Sequence, residues 1–68
     1  MNHQQALDAI KEHLSRLEAC AKSNIGNIYH HACGMAEMAY RMNTIRFEEY
    51  VSVGNVLSET YHKRYRER

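Results

Sequence analysis

Five histidines and two cysteines are the side chains in this sequence with the most chemistry to offer. His30 and Cys33 stand three apart, which on a helix puts them on one side, and His13 or Cys20 could approach them from a neighbouring helix. Imidazole and thiolate are ligands that zinc accepts. The spacing argues against such a site, because no Cys-x-x-Cys or His-x-x-x-His pair occurs. In a helical hairpin turning near Asn24, Cys20 falls opposite Tyr29 and Cys33 opposite Arg16, which staggers the ligands along the axis by several ångström. No metal and no cofactor are expected, and the cysteines read as small semi-buried apolar groups. Cys33 with His30 or His31 is the one candidate nucleophile and base. A catalytic cysteine also needs an oxyanion site and a pocket. Nothing here resembles a glycine-rich phosphate loop or a nucleophile elbow, so no enzymatic activity is expected.

Two other groups of residues could act by binding. Tyr29, Met38, Tyr40, Phe47 and Tyr50, with Ile45, Val51 and Val53, give more large apolar side chains than one thin helical domain can turn inward. Methionine and tyrosine suit adaptable protein interfaces, so the first five are predicted to contact a partner, which includes a second copy of the chain. The alternative is nucleic acid. Tyr61, Lys63, Arg64, Tyr65 and Arg66, followed by Arg68, interleave rings for stacking with cations for phosphates. The bland reading of that tail is a helix C-terminus, where the dipole favours cations.

Composition bounds both readings. The net charge is +1, too near zero to name a partner. It is unevenly spread: residues 1–58 carry five basic and six acidic side chains, residues 59–68 four basic and two acidic. A chain of 68 residues buries only about 60% of the surface it exposes when unfolded. Small domains offset this by close helix packing or oligomerisation. Two cysteines allow one disulfide at most, and no secretory signal or long apolar run occurs, so a reducing cytoplasm is expected and a membrane span is not.

With no proline and three glycines, long helices are the natural elements. Leu7, Ile10, Leu14, Leu17 and Ala21 recur at steps of three and four and predict a helix over residues 4–22, with His3 able to extend the stripe. Ser23, Asn24, Gly26 and Asn27 mark a tight connection. A periodic stretch runs from Ile25 to Met42, and a second helix, 27–42, carries its seam of Ile28, Ala32, Met35, Ala39 and Met42, whose small residues predict close packing at Ala32 and Ala39. Asn43 suits the left-handed conformation that ends a helix, with Ile45 folding back onto the apolar face. A third helix, 46–66, starts on Glu48 and Glu49, which complement its dipole. Its stripe is Phe47, Tyr50, Gly54, Leu57 and Tyr61, and Gly54 within it predicts a close helix crossing.

The run Ile28-Tyr29-His30-His31-Ala32-Cys33-Gly34-Met35-Ala36-Glu37-Met38-Ala39-Tyr40 and the connector from Ile45 to Tyr50 resemble small helical accessory proteins of bacterial phages and prophages. That resemblance implies a binder that modulates a host protein, and it carries over no individual residue. The sequence thus predicts a single all-α domain over residues 1–68: an antiparallel helical hairpin plus a third helix. It also predicts a homodimeric bundle, with Ala32, Ala39 and Gly54 near the crossing.

Overall fold

A computed structural model describes residues 2–67, and Arg68 of the basic tail lies outside them. Three helices account for most of the chain: α1 (His3–Ala19), α2 (Ile25–Arg41) and α3 (Phe47–Arg66). Each start has a local cause. Asn2 Oδ1 accepts the Gln5 backbone N–H at 2.8 Å while Gln5 Oε1 accepts that of Asn2 at 3.0 Å, so two of the N–H groups that α1 leaves without helical partners are satisfied reciprocally. At α3 the Glu49 carboxylate reaches back to the Arg46 N–H at 2.8 Å, and Glu48 and Glu49 both sit in the first turn.

The connection between α1 and α2 lies earlier than the sequence predicts. Cys20 and Ala21 are extended, Lys22–Asn24 form a short 3₁₀ turn, and α2 begins at Ile25. Gly26 and Asn27, expected in the turn, belong to the first turn of α2, and Ala21 is exposed. Burial explains the shift, since Ile25 is 2% exposed among Leu17, Ala32 and Leu57. Holding Ile25 there starts the helix two residues ahead of the predicted boundary.

The end of α2 follows the expectation closely. Asn43 has φ 59°, its N–H donates to the Tyr40 carbonyl at 3.0 Å, and the Thr44 N–H donates to the Ala39 carbonyl at 2.8 Å. This paired arrangement closes a helix through one left-handed residue. Ile45 then turns inward and is 4% exposed.

Two apolar clusters define the topology. Ala6 and Ile10 of α1 meet Ala36 and Ala39 near the end of α2, together with Ile45, Tyr50 and Val53. Leu17 meets Ile25 and Ala32 near the start of α2 and Leu57 late in α3. The helices therefore run up, down and up, with α1 parallel to α3, in a rod of 38 × 18 × 14 Å. Polar ties hold α1 to α3 at both ends. His3 Nε2 and Glu49 Oε2 lie 2.6 Å apart at one end, so His3 is an exposed partner of a carboxylate and not an extension of the stripe. At the other end Arg64 of α3 donates to the Leu17 and Glu18 carbonyls of α1, and the Lys22 ammonium, in the turn after α1, donates to the Glu67 carbonyl just past α3.

The Arg46 N–H, and next the His3 side chain, hold the Glu49 carboxyl below the ordinary glutamate value of 4.5. A folded-state pKa below the unfolded one contributes stability that is complete above the unfolded value and lost as pH falls through the folded one. Glu49→Gln should therefore shrink the loss of stability on acidification below that value, as read from urea midpoints at neutral and acid pH. An unchanged acid limb would show that the tie contributes nothing.

The buried registers differ from two predicted stripes. On α2, Ile25, Ala32, Ala36 and Ala39 are buried, Ile28 and Met35 half-buried, and Met42 is 68% exposed. Packing against both α1 and α3 widens the buried arc toward Ala36, and Met42 sits where the chain leaves the helix. On α3, Leu57 is buried and Tyr50, Val53, Tyr61 and Arg64 are half-buried, but Phe47 is 59% exposed. A Cβ at Gly54 would meet nothing within 4 Å, so no close crossing occurs there within the chain. Ala32 and Ala39, buried inside their own chain, are likewise closed to a second copy.

Candidate functional site

The five residues predicted to bind a partner fall into three places. Residues two apart on a helix point about 200° from each other, and so Met38 and Tyr40 occupy opposite flanks of α2. On the flank toward α3, Tyr40 stacks on Tyr50 with ring centroids 4.9 Å apart and leans on Phe47 at 5.9 Å. Tyr29 lies toward the other end of the same α2–α3 face. It stacks on Tyr61 at 4.3 Å, and Tyr61 on Tyr65 at 5.9 Å. Between these aromatic groups runs a shallow groove of about 250 Å³, lined by Cys33, Ala36, Tyr50, Val51, Gly54, Asn55 and Leu57.

Met38 instead joins Met35, Met42, His30, His31 and Gly34 along a groove of about 470 Å³ on the α1 side of α2. Beside it His13 and His31 stack nearly parallel, with centroids 4.9 Å apart. The Nδ1–H of His13 donates to the Ala9 carbonyl at 3.0 Å.

His30 and His31 line the α1-side groove and Cys33 the α3-side groove, and Tyr29 stands between them, its ring 5.6 Å from that of His30 and its phenol beside Cys33. Cys20 is half-buried at the end of α1, its thiol directed at the Leu17 carbonyl. Both cysteines pack against the Leu17 cluster as small apolar groups. Burial, reinforced by Cys33 one turn along, pushes the Tyr29 phenol above its usual range, against the opposing hydrogen bond from Ser58. Such a phenol stays neutral and is a poor base. Among the described residues no three His, Cys, Asp or Glu side chains converge on a common point.

The five residues of the nucleic-acid reading do not share a surface either. Arg64 turns inward. Its Nη1 donates to the carbonyls of Leu17 at 3.2 Å and Glu18 at 2.6 Å, and its Nη2 to that of Cys20 at 2.7 Å. The Glu67 carboxylate stands 3.1 Å from Nε, near enough to pair as an ion though outside hydrogen-bond alignment. The guanidinium thus closes the C-terminal end of α1, where unpaired carbonyls and the helix dipole both favour a cation. Tyr61 is held between Tyr29 and Tyr65. Lys63, Tyr65 and Arg66 remain exposed.

The face that the structure assembles therefore consists of Tyr40, Phe47, Val51, Gly54, Tyr61 and Tyr65, on α2 and one edge of α3. Ser58, outside the predicted stripes, completes that edge. The available signal was a second run of three-and-four steps on α3, interleaved with the buried one and masked by it. No family model, no curated protein and no solved structure matches the chain. No helix of the described residues is long and apolar enough to cross a membrane.

Proposed function

We propose that the chain is a non-catalytic protein-binding module whose contact surface is the α2–α3 face around Tyr40, Phe47 and Val51. The observation that carries this reading is the exposure of Phe47 (59%) and Val51 (42%) beside stacked tyrosines. Rigid aromatic side chains in a shallow apolar groove are the usual anchors of a protein interface. A module this small acts on its partner by occupying surface.

The test places a photo-crosslinking amino acid at position 47 and, as a control, at exposed Ser15 on α1. Irradiation in the producing cell should couple protein to position 47 and leave position 15 unreacted. Equal yields at the two positions, or no protein adduct at 47, would overturn the reading.

A further inference from the structure

Helix α3 carries two registers. One turns Tyr50, Val53, Leu57 and Arg64 toward α1 and α2. The other is Phe47, Val51, Gly54, Ser58, Tyr61 and Tyr65, spaced 4, 3, 4, 3 and 4, which is the seam a helix presents to one more helix. Its ends are open to solvent, Phe47 at 59% and Tyr65 at 66%. Large side chains stand at both ends and the two smallest, Gly54 and Ser58, at the centre. Nothing in its own chain accounts for Gly54, since the space beside it is empty.

We infer that the partner of this face is a second copy of the chain, docked with the two α3 helices antiparallel and crossing at Gly54 and Ser58. The inference rests on the reading of the α2–α3 face as a binding surface and adds the identity of what binds. A two-fold axis at the level of Val56 sets Phe47 against the partner's Tyr65, Val51 against the partner's Tyr61, and Gly54 against the partner's Ser58. Bulk then fills the flanks, and the small pair lets the axes approach. The seam extends about 27 Å along α3, nearly its full length.

Charge fixes the direction and favours self over another protein. Along the solvent side of the seam run Glu48, Asn55, His62 and Arg66, all exposed. The acid stands at one end and the cation at the other. Antiparallel pairing brings Glu48 beside the partner's Arg66 twice, once on each side of the axis, and opposes the helix dipoles favourably. A parallel pairing would turn Glu48 and its copy to opposite sides of the seam, could not form these two pairs, and would align the helix dipoles unfavourably. The face is thus complementary to itself in both size and charge.

Sedimentation equilibrium of the full chain tests this directly. The expected result is a concentration-dependent species of twice 8.0 kDa. Glu48→Arg should raise its dissociation constant about tenfold through two symmetric repulsions, and the double variant Glu48→Arg/Arg66→Glu should restore it. Gly54→Leu, directed into space that is empty in the single chain, should keep the helix content and abolish the dimer. A monomer at every concentration would overturn self-pairing, as would a dimer indifferent to Gly54→Leu and to the charge exchange. If such a monomer still crosslinks from position 47 to another protein, self-pairing alone fails; if it crosslinks to nothing, the binding-surface reading fails as well.

Discussion

Arg64→Met should lower the stability of the fold by about 2–4 kcal/mol, the scale of losing charge-assisted hydrogen bonds whose acceptors are left behind. Methionine keeps the aliphatic stem that packs at the end of the bundle and removes the three donations to the carbonyls of Leu17, Glu18 and Cys20. The side chain is 16% exposed, so solvent screens the contact weakly. A small domain melts roughly 4–8 °C lower for each kcal/mol lost, which makes the effect easy to see by circular dichroism. Arg64→Lys should recover part of it, because an ammonium keeps the charge but cannot span three carbonyls as a planar fork does. The same exchange at exposed Arg66, made at a concentration where the chain is monomeric, should stay within about 0.5 kcal/mol. Equal effects at positions 64 and 66 would reduce Arg64 to one more surface cation.

Leu17→Ala should cost about 2–5 kcal/mol. Leu17 is 0% exposed and touches all three helices through Ile25, Ala32 and Leu57, so the lost side chain leaves a void that no single helix can close by shifting. Typical stabilities per residue give a chain of 68 residues about 3–10 kcal/mol in total. The variant should therefore lie near its folding threshold, with a sharply lower urea midpoint or an unfolded spectrum at room temperature. Leu17→Met, which nearly conserves volume, should cost less than about 1.5 kcal/mol. If alanine were tolerated like methionine, the Leu17 cluster would not be the main source of stability.

The fold was legible where one residue type has one physical use. Asn43 ends α2 in the left-handed region, and Ile45 beyond it folds in, because few other residues accept that conformation and a lone isoleucine in a connector seeks burial. The alternating leucines and isoleucines of α1 mark its inward side for the same reason. Alanine reads less clearly, since it is at home in any part of a helix, and so Ala6 and Ala36, both buried, went unmarked in the stripes. Gly54 was legible as an oddity but not as to its cause. The sequence predicts a close helix crossing at Gly54, within the chain or between two copies, and the structure leaves the space beside it open in the single chain.

The site was legible as a list of residues rather than as a surface. Tyr40, Phe47 and Tyr50 do come together. Met38 differs from Tyr40 by two positions, and helical geometry alone sends it to the far flank. Tyr29 keeps the same flank but sits at the opposite end. Arg64 was out of reach of any local argument, because the carbonyls it binds lie 44 to 47 residues earlier in the chain.

The two core clusters differ in substance. At the end where α3 begins, three of the five buried residues are alanines, Ala6, Ala36 and Ala39; at the other end Leu17, Ile25 and Leu57 dominate, and Arg64 closes the ring. Of the residues packed at the boundary, Val53 is common to both. Contact free energy is therefore graded along the rod, and local opening should begin at the alanine-built end, well before global unfolding. Tyr40 and Phe47 stand on that loosely held end, whereas Tyr61 and Tyr65 stand on the firm one. A partner meeting this surface would find one half already set and the other still breathing, and its grip on the second half would tighten as that end became ordered.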